Sequence, residues 1–237
     1  MSTIFLNAAF PVIATIFGAL LSLWRTPGPV ARGFLQHLAA GVVFAVVSVE
    51  LLPDVIKRHA PMYVVVGFGI GVLTMLAIKS TTTKLEEKAS EKNSFPSALL
   101  LAVAVDVLLD GFLIGIGFAA GAREGRLLTI ALTIELLSLG LALSLELAEY
   151  GLSKVKVMQI VTGIASLIFI GAVVGDLILA KAPDRVMETV LSFGLAALLF
   201  LVTEELMVEA HEQPETPATT AAFFFGFLIL LVLSMAT

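Results

Sequence analysis

The sequence predicts an all-α polytopic membrane protein of eight transmembrane helices. Three observations predict it. First, 59% of the 237 residues are hydrophobic and only 14% are charged, whereas a soluble domain averages about 45–50% apolar and about 25% charged. Second, the apolar residues gather into eight runs, each long enough to cross a hydrocarbon core, separated by polar, Pro- or Gly-containing turns. Third, the second run ends VELLPD (from Val49) and the seventh ends EELMVEAH (from Glu204). Those two runs cross the membrane in opposite directions. The echo is short, and it predicts an inverted repeat flanking two central helices, a 3+2+3 arrangement. Little room is left for a soluble domain, so residues 1–237 read as a single transmembrane domain.

Taken in order, the first span covers about Thr3 to Trp24, with Pro11 as a kink point and Trp24 suited to the interface. The turn RTPGPVAR (Arg25 to Arg32) follows. The second span, about Gly33 to Leu52, opens with Gln36 and His37 and closes on Glu50, Pro53 and Asp54. The third, about Pro61 to Ile78, carries Gly67, Gly69 and Gly71, small residues that suit close helix packing. Residues 79–96 read KSTTTKLEEKASEKNSFP. Their low hydrophobicity and mixed charge predict a mobile loop. The fourth span is Ser97 to Ala120. After GAREG, the fifth runs from about Leu127 to Leu147, the sixth from Val157 to Ala180, the seventh from Val186 to Val208 and the eighth from Ala218 to Met235. The run Phe223 to Phe225 reads as lipid-facing bulk rather than a binding box.

Eight spans put both termini on one side. Eight of the 14 Lys and Arg fall in odd-numbered loops: Arg25, Arg32, Lys79, Lys84, Lys88, Lys92, Lys154 and Lys156. The positive-inside rule then places the odd loops, residues 79–96 among them, in the cytoplasm and both termini outside. The first apolar run has no basic segment before it and no clear small-residue cleavage site, so no cleavable leader is expected. Localisation in a cell membrane as a multi-pass protein is the expectation. The net charge of −5 is small and says nothing about partners, but the lack of a basic patch speaks against nucleic acid. The absence of cysteine removes disulfides, thiolate metal sites and Cys nucleophiles.

The chemistry concentrates in the fourth and fifth spans. Asp106 and Asp110 lie near the middle of the fourth, one helical turn apart, roughly 6 Å along the axis and on one face. A carboxylate at mid-membrane costs about 2.5–3.5 kcal/mol on insertion scales. Two on one face repel unless a proton or a cation is shared between them. Glu135 sits as deep into the fifth span as Asp106 into the fourth, and a short loop makes the two helices antiparallel neighbours. Ser138 is almost one turn beyond Glu135. Asp106, Asp110, Glu135 and Ser138 thus form an all-oxygen constellation at one depth, the composition favoured by hard or borderline divalent cations. The alternative is a set of proton-sharing acids that holds the bundle together. Glu50, Glu204 and Glu205 fit the ends of a pathway, or pair with basic residues at the interface. His211, between Glu209 and Glu212, could add a low-affinity cation contact. His37 reads as interfacial. No Ser/His or Asp/Asp catalytic motif is present, and all three His lie near span ends, so the chain is not expected to be an enzyme.

These residues resemble a known family. DVLLDG (Asp106 to Gly111) is similar to the HN-x-x-[DE]-G motif in the fourth helix of ZIP-type (Zrt/Irt-like) divalent-metal transporters. ELLSLGLAL (Glu135 to Leu143) is similar to their fifth-helix HE-x-P-E-G-LA-x motif, and EELMVEAHE (Glu204 to Glu212) to their seventh-helix EELLPEAHE. The resemblance spans essentially the whole chain, including the eight-span plan and the long loop after the third span. It implies a transporter that binds Mn, Mg, Fe or Zn as its substrate. The ion and the lipid bilayer are the implied partners, with a homodimer left open. The departures matter as much. Asp106 and Glu135 stand where the motifs have His, Val107 where they have Asn, Leu136 and Leu139 where they have Glu, and Ser138 where they have Pro. Ile168, Phe169 and Ile170 precede Gly171 and Ala172, where the sixth helix of the family carries an acid. The family's binuclear centre is reduced to at most one oxygen-only site. The alternative function is a scaffold or regulatory protein that keeps the fold without transport.

Overall fold

The computed structural model describes residues 2–90, 96–179 and 182–236. Lys92, one of the odd-loop charges, lies outside the described residues. Among the described residues there is no strand, and eight helices are long and apolar enough to cross a membrane. We number them α1 (Ser2–Trp24), α2 (Pro29–Lys57), α3 (Pro61–Ser90), α4 (Ser97–Ala120), α5 (Ala122–Glu149), α6 (Lys154–Leu179), α7 (Asp184–His211) and α8 (Pro217–Ala236). The α1–α2, α3–α4, α5–α6 and α7–α8 connections lie at one end of the bundle, called here the odd-loop end. The other end is the even-loop end.

Several boundaries differ from the sequence reading. α2 starts at Pro29, inside the expected turn, because proline at the first helical position loses no hydrogen bond and is already set to a helical φ. α3 continues to Ser90 rather than stopping at Ile78. The stretch KLEEKA consists of good helix formers. The preceding threonines also satisfy themselves within the helix: Thr81 Oγ1 donates to Ala77 O at 2.7 Å, and Thr83 Oγ1 to Lys79 O at 2.9 Å. The remainder of the expected loop, residues 91–95, lies outside the described residues. α6 is interrupted at Ser166. Of the run Phe223 to Phe225 in α8, Phe224 and Phe225 face outward, but Phe223 packs inward, its ring 6.0 Å from that of Phe44.

The packing follows a two-fold pattern. α1 pairs most extensively with α5 and α6 with α4; α2 pairs with α8 and α7 with α3. Exchanging the first three helices for the last three, and α4 for α5, maps each pair onto its counterpart. Glycine makes these approaches possible. A Cβ on Gly140 would collide with the backbone of Thr15 across the α1–α5 contact, and one on Gly111 with the backbone of Ile168 across the α4–α6 contact. Close backbone approach through small residues is how helices associate in lipid, where burial of apolar surface gives no drive.

Two helices contain a widened π turn at corresponding places. In α2, over Val47–Leu51, the N–H of Leu52 reaches back to Val47 O. In α7, over Leu201–Leu206, the N–H of Met207 reaches Val202 O. Proline follows the first turn, at Pro53, but Val208 occupies the matching position in α7, so the wide turn does not depend on a proline.

Candidate metal centre

α4 and α5 lie antiparallel and in contact across Gly121. Gly111 and Gly115 of α4 are spent on α6, whose backbone at Ile168 and Ala172 they touch. Asp106 and Asp110 stand about 100–180° round the helix from those glycines and so are turned off the α6 contact. On α5, Gly140 faces α1, and Glu135 lies roughly 140° away from it. The glycine faces thus set the rotation of both helices and bring the acids together. Asp106, Asp110 and Glu135 each offer a carboxylate oxygen, and the three oxygens lie within 4.8 Å of one another. Asp110 is 1% exposed and Glu135 2%; Asp106 is half-buried. Asp110 Oδ2 and Glu135 Oε2 have no hydrogen-bond partner among the described residues.

Buried carboxylate oxygens without donors are costly unless something else satisfies them. Oxygens on opposite sides of an ion bound at about 2.1–2.4 Å are separated by about 4.2–4.8 Å. The separations within the trio are compatible with a single hard cation. They are also compatible with one or two shared protons, which would supply donors to the same oxygens.

The other residues singled out in the sequence are distributed along the bundle. Glu205 is half-buried, and its charge acts on Asp106, Asp110 and Glu135. Its neighbour Glu204 points away and pairs with Lys79 Nζ at 2.8 Å on the outer side of α3. Glu50 is buried at the even-loop end, where Arg123 Nη2 donates to its Oε1 at 3.2 Å and to the Ser234 carbonyl at 2.6 Å. His211 is exposed at the odd-loop end. Its Nδ1 bonds Met207 O at 2.5 Å, and its Nε2 lies 3.6 Å from Glu215 Oε1. His37 is buried rather than interfacial: its Nδ1 bonds Gly33 O at 2.7 Å, and its ring centre is 5.6 Å from that of His211.

Ser138 is buried one turn from Glu135 toward the odd-loop end, where it lines a cleft of about 240 Å³. Gln36 of α2 and Glu209 of α7 line the same cleft, and Gln36 Nε2 donates to Glu209 Oε2 at 3.1 Å. Sequence reasoning gave Gln36, Glu209 and Arg123 no role at the site. Glu209 was legible within the EELMVEAHE motif. Nothing in the local pattern marks Gln36, which becomes informative only when α2 and α7 meet.

No protein-family model matches the chain. It is similar to the "putative zinc transporter" of Arabidopsis thaliana, at 23% identity over 231 residues. The match covers 94% of this chain and 37% of that protein, so the chain spans little more than a third of its relative's length.

Proposed function

We propose that this protein carries a divalent metal cation across a cell membrane, through a mid-membrane site made of Asp106, Asp110 and Glu135. The observation that carries the reading is the convergence of three carboxylate oxygens within 4.8 Å on facing helices inside an eight-span bundle. Intramembrane acids cost several kcal/mol and are by default tied to ion or proton pathways. The similarity to a protein named as a zinc transporter supports metal transport in general terms. The donor set refines it: three carboxylates and no imidazole or thiolate suit Mn²⁺ or Mg²⁺ better than a soft ion, and Zn²⁺ remains acceptable to them. Glu205 extends the negative charge toward the odd-loop end, and the cleft beside Ser138 opens there.

One observation favours the scaffold reading instead. α6 presents Ile168 and Gly171 to α4 where the ZIP motif implies an acid, and its backbone closes directly on Gly111. The second half of a binuclear centre has no side chain there. Uptake by the full chain in proteoliposomes, measured for Mn²⁺ and Zn²⁺, separates the two readings. Uptake that Asp110→Asn abolishes supports the transporter. A folded wild type that moves neither ion supports the scaffold.

A further inference from the structure

The cleft at the odd-loop end has features that the midplane site does not explain. Four carboxylates line it, from Glu146, Glu149, Glu209 and Glu212, against the single guanidinium of Arg32. A concave surface of one sign concentrates counter-ions. Charge alone does not make a site, and the second observation is Gln36. This residue is 7% exposed, and its Nε2 is committed to Glu209. The amide orientation follows from that bond, because the reverse would set a carbonyl oxygen against a carboxylate. Gln36 lines the cleft, and its Oε1 is left buried and without any partner among the described residues. A buried amide oxygen left unmatched costs about 1–3 kcal/mol, and a cation satisfies it. Ser138 contributes a hydroxyl oxygen from the facing helix α5.

We propose that the cleft holds a second divalent cation, bound by Gln36 Oε1, the Glu209 carboxylate and the Ser138 hydroxyl. Water completes the shell, as is usual for hard cations at partly open sites. The site stands on α2, α5 and α7, whereas the midplane trio stands on α4 and α5. Ser138 is about 4.5 Å along α5 from Glu135, one turn nearer the cleft mouth. The charge of Glu209 also acts on both Asp106 and Glu135. The cleft ion is thus a staging ion, one step from the midplane. That role rests on the proposed transport; the binding itself does not.

Mn²⁺ titration of the purified full chain, with free ion read by electron paramagnetic resonance, tests it. Wild type should bind two ions. Glu209→Gln and Gln36→Met, both close in shape to the native residues, should each weaken one ion at least tenfold and leave the other. Asp110→Asn should remove the other and spare the first. Gln36→Glu adds a carboxylate and should tighten the cleft ion, a gain that misfolding cannot imitate. Titrations unchanged in Glu209→Gln, Gln36→Met and Gln36→Glu overturn the cleft site, even if Asp110→Asn shows the midplane ion to be real. A single ion lost in Glu209→Gln and kept in Asp110→Asn upholds the cleft site and overturns the midplane one.

Discussion

Glu50 and Glu205 occupy the same position in two π turns that face opposite ends of the bundle. Glu50 stands two residues before Leu52, whose N–H closes onto Val47, and Glu205 two residues before Met207, whose N–H closes onto Val202. Their surroundings differ. Glu50 is held by Arg123, which also grips the last turn of α8 through Ser234. Among the described residues Glu205 takes no ion pair of its own, though the charge of Lys79 acts on it, and its own charge acts on the midplane acids. A widened turn inserts one residue into the helical register and re-aims the side chains around it. Each π turn thus carries an ion pair to another helix, Glu50 with Arg123 in one and Glu204 with Lys79 in the other.

The clamp at Arg123 should be measurable. Arg123→Met strands a buried carboxylate, and removing one partner of a buried pair is destabilising. Arg123 itself is close to half-exposed, so the expected loss is discounted to roughly 1–3 kcal/mol. A lowered thermal midpoint in detergent would record it, and Glu50→Gln in the same chain should recover most of the loss. If the double variant is no more stable than the single, the pair is not what holds these ends together.

At the midplane, Asp110→Asn should nearly abolish uptake, because it removes a charge from the most buried acid of the trio. Asp106→His supplies a nitrogen ligand and should move selectivity from Mn²⁺ toward Zn²⁺. Competition between the two ions in proteoliposomes reads both effects. Uptake indifferent to Asp110→Asn would remove the trio from the pathway.

Protons should compete with the cation. A carboxylate binds metal only when deprotonated, so binding at the trio releases protons and must weaken as pH falls. Mn²⁺ affinity measured on the two sides of neutrality should be higher on the alkaline side. Equal affinities would mean that the bound ion is not held by these acids.

The α4–α6 contact should tolerate no side chain at Gly111. A Cβ there meets the Ile168 backbone, which cannot swing aside as a flexible side chain would. Gly111→Ala should cost about 1–3 kcal/mol as overpacking and, by rotating α4, reduce Mn²⁺ binding as well. Gly69→Ala, in α3, has open space around the new methyl and serves as the control. Thermal unfolding of the two variants, side by side, should separate them clearly.

Orientation is the last expectation. With the odd loops in the cytoplasm, a protease tag inserted between Ser90 and Pro96 should survive digestion of right-side-out vesicles. Cleavage there would reverse the orientation drawn from the Lys and Arg distribution.

Much of this was legible in the sequence, for a physical reason. A bilayer demands about 20 apolar residues per helix, so composition and run length determined eight spans and the depth of every acid in them. Depth alone placed Asp106, Asp110 and Glu135 at one level. Rotation about each helix axis was decided only by the tertiary structure, because almost every position in these helices is apolar and no hydrophobic stripe marks an inward face. Glycines that lie far apart in sequence, such as Gly111 and Gly171, set the rotation through backbone contacts with a neighbouring helix. The π turn in α7 decided that Glu205 faces the midplane while Glu204 takes Lys79. The pairings of Gln36 with Glu209 and of Arg123 with Glu50 join residues 173 and 73 positions apart in the sequence. Local sequence fixes how far a side chain lies along its own helix, and only the packing of the other helices decides what it meets.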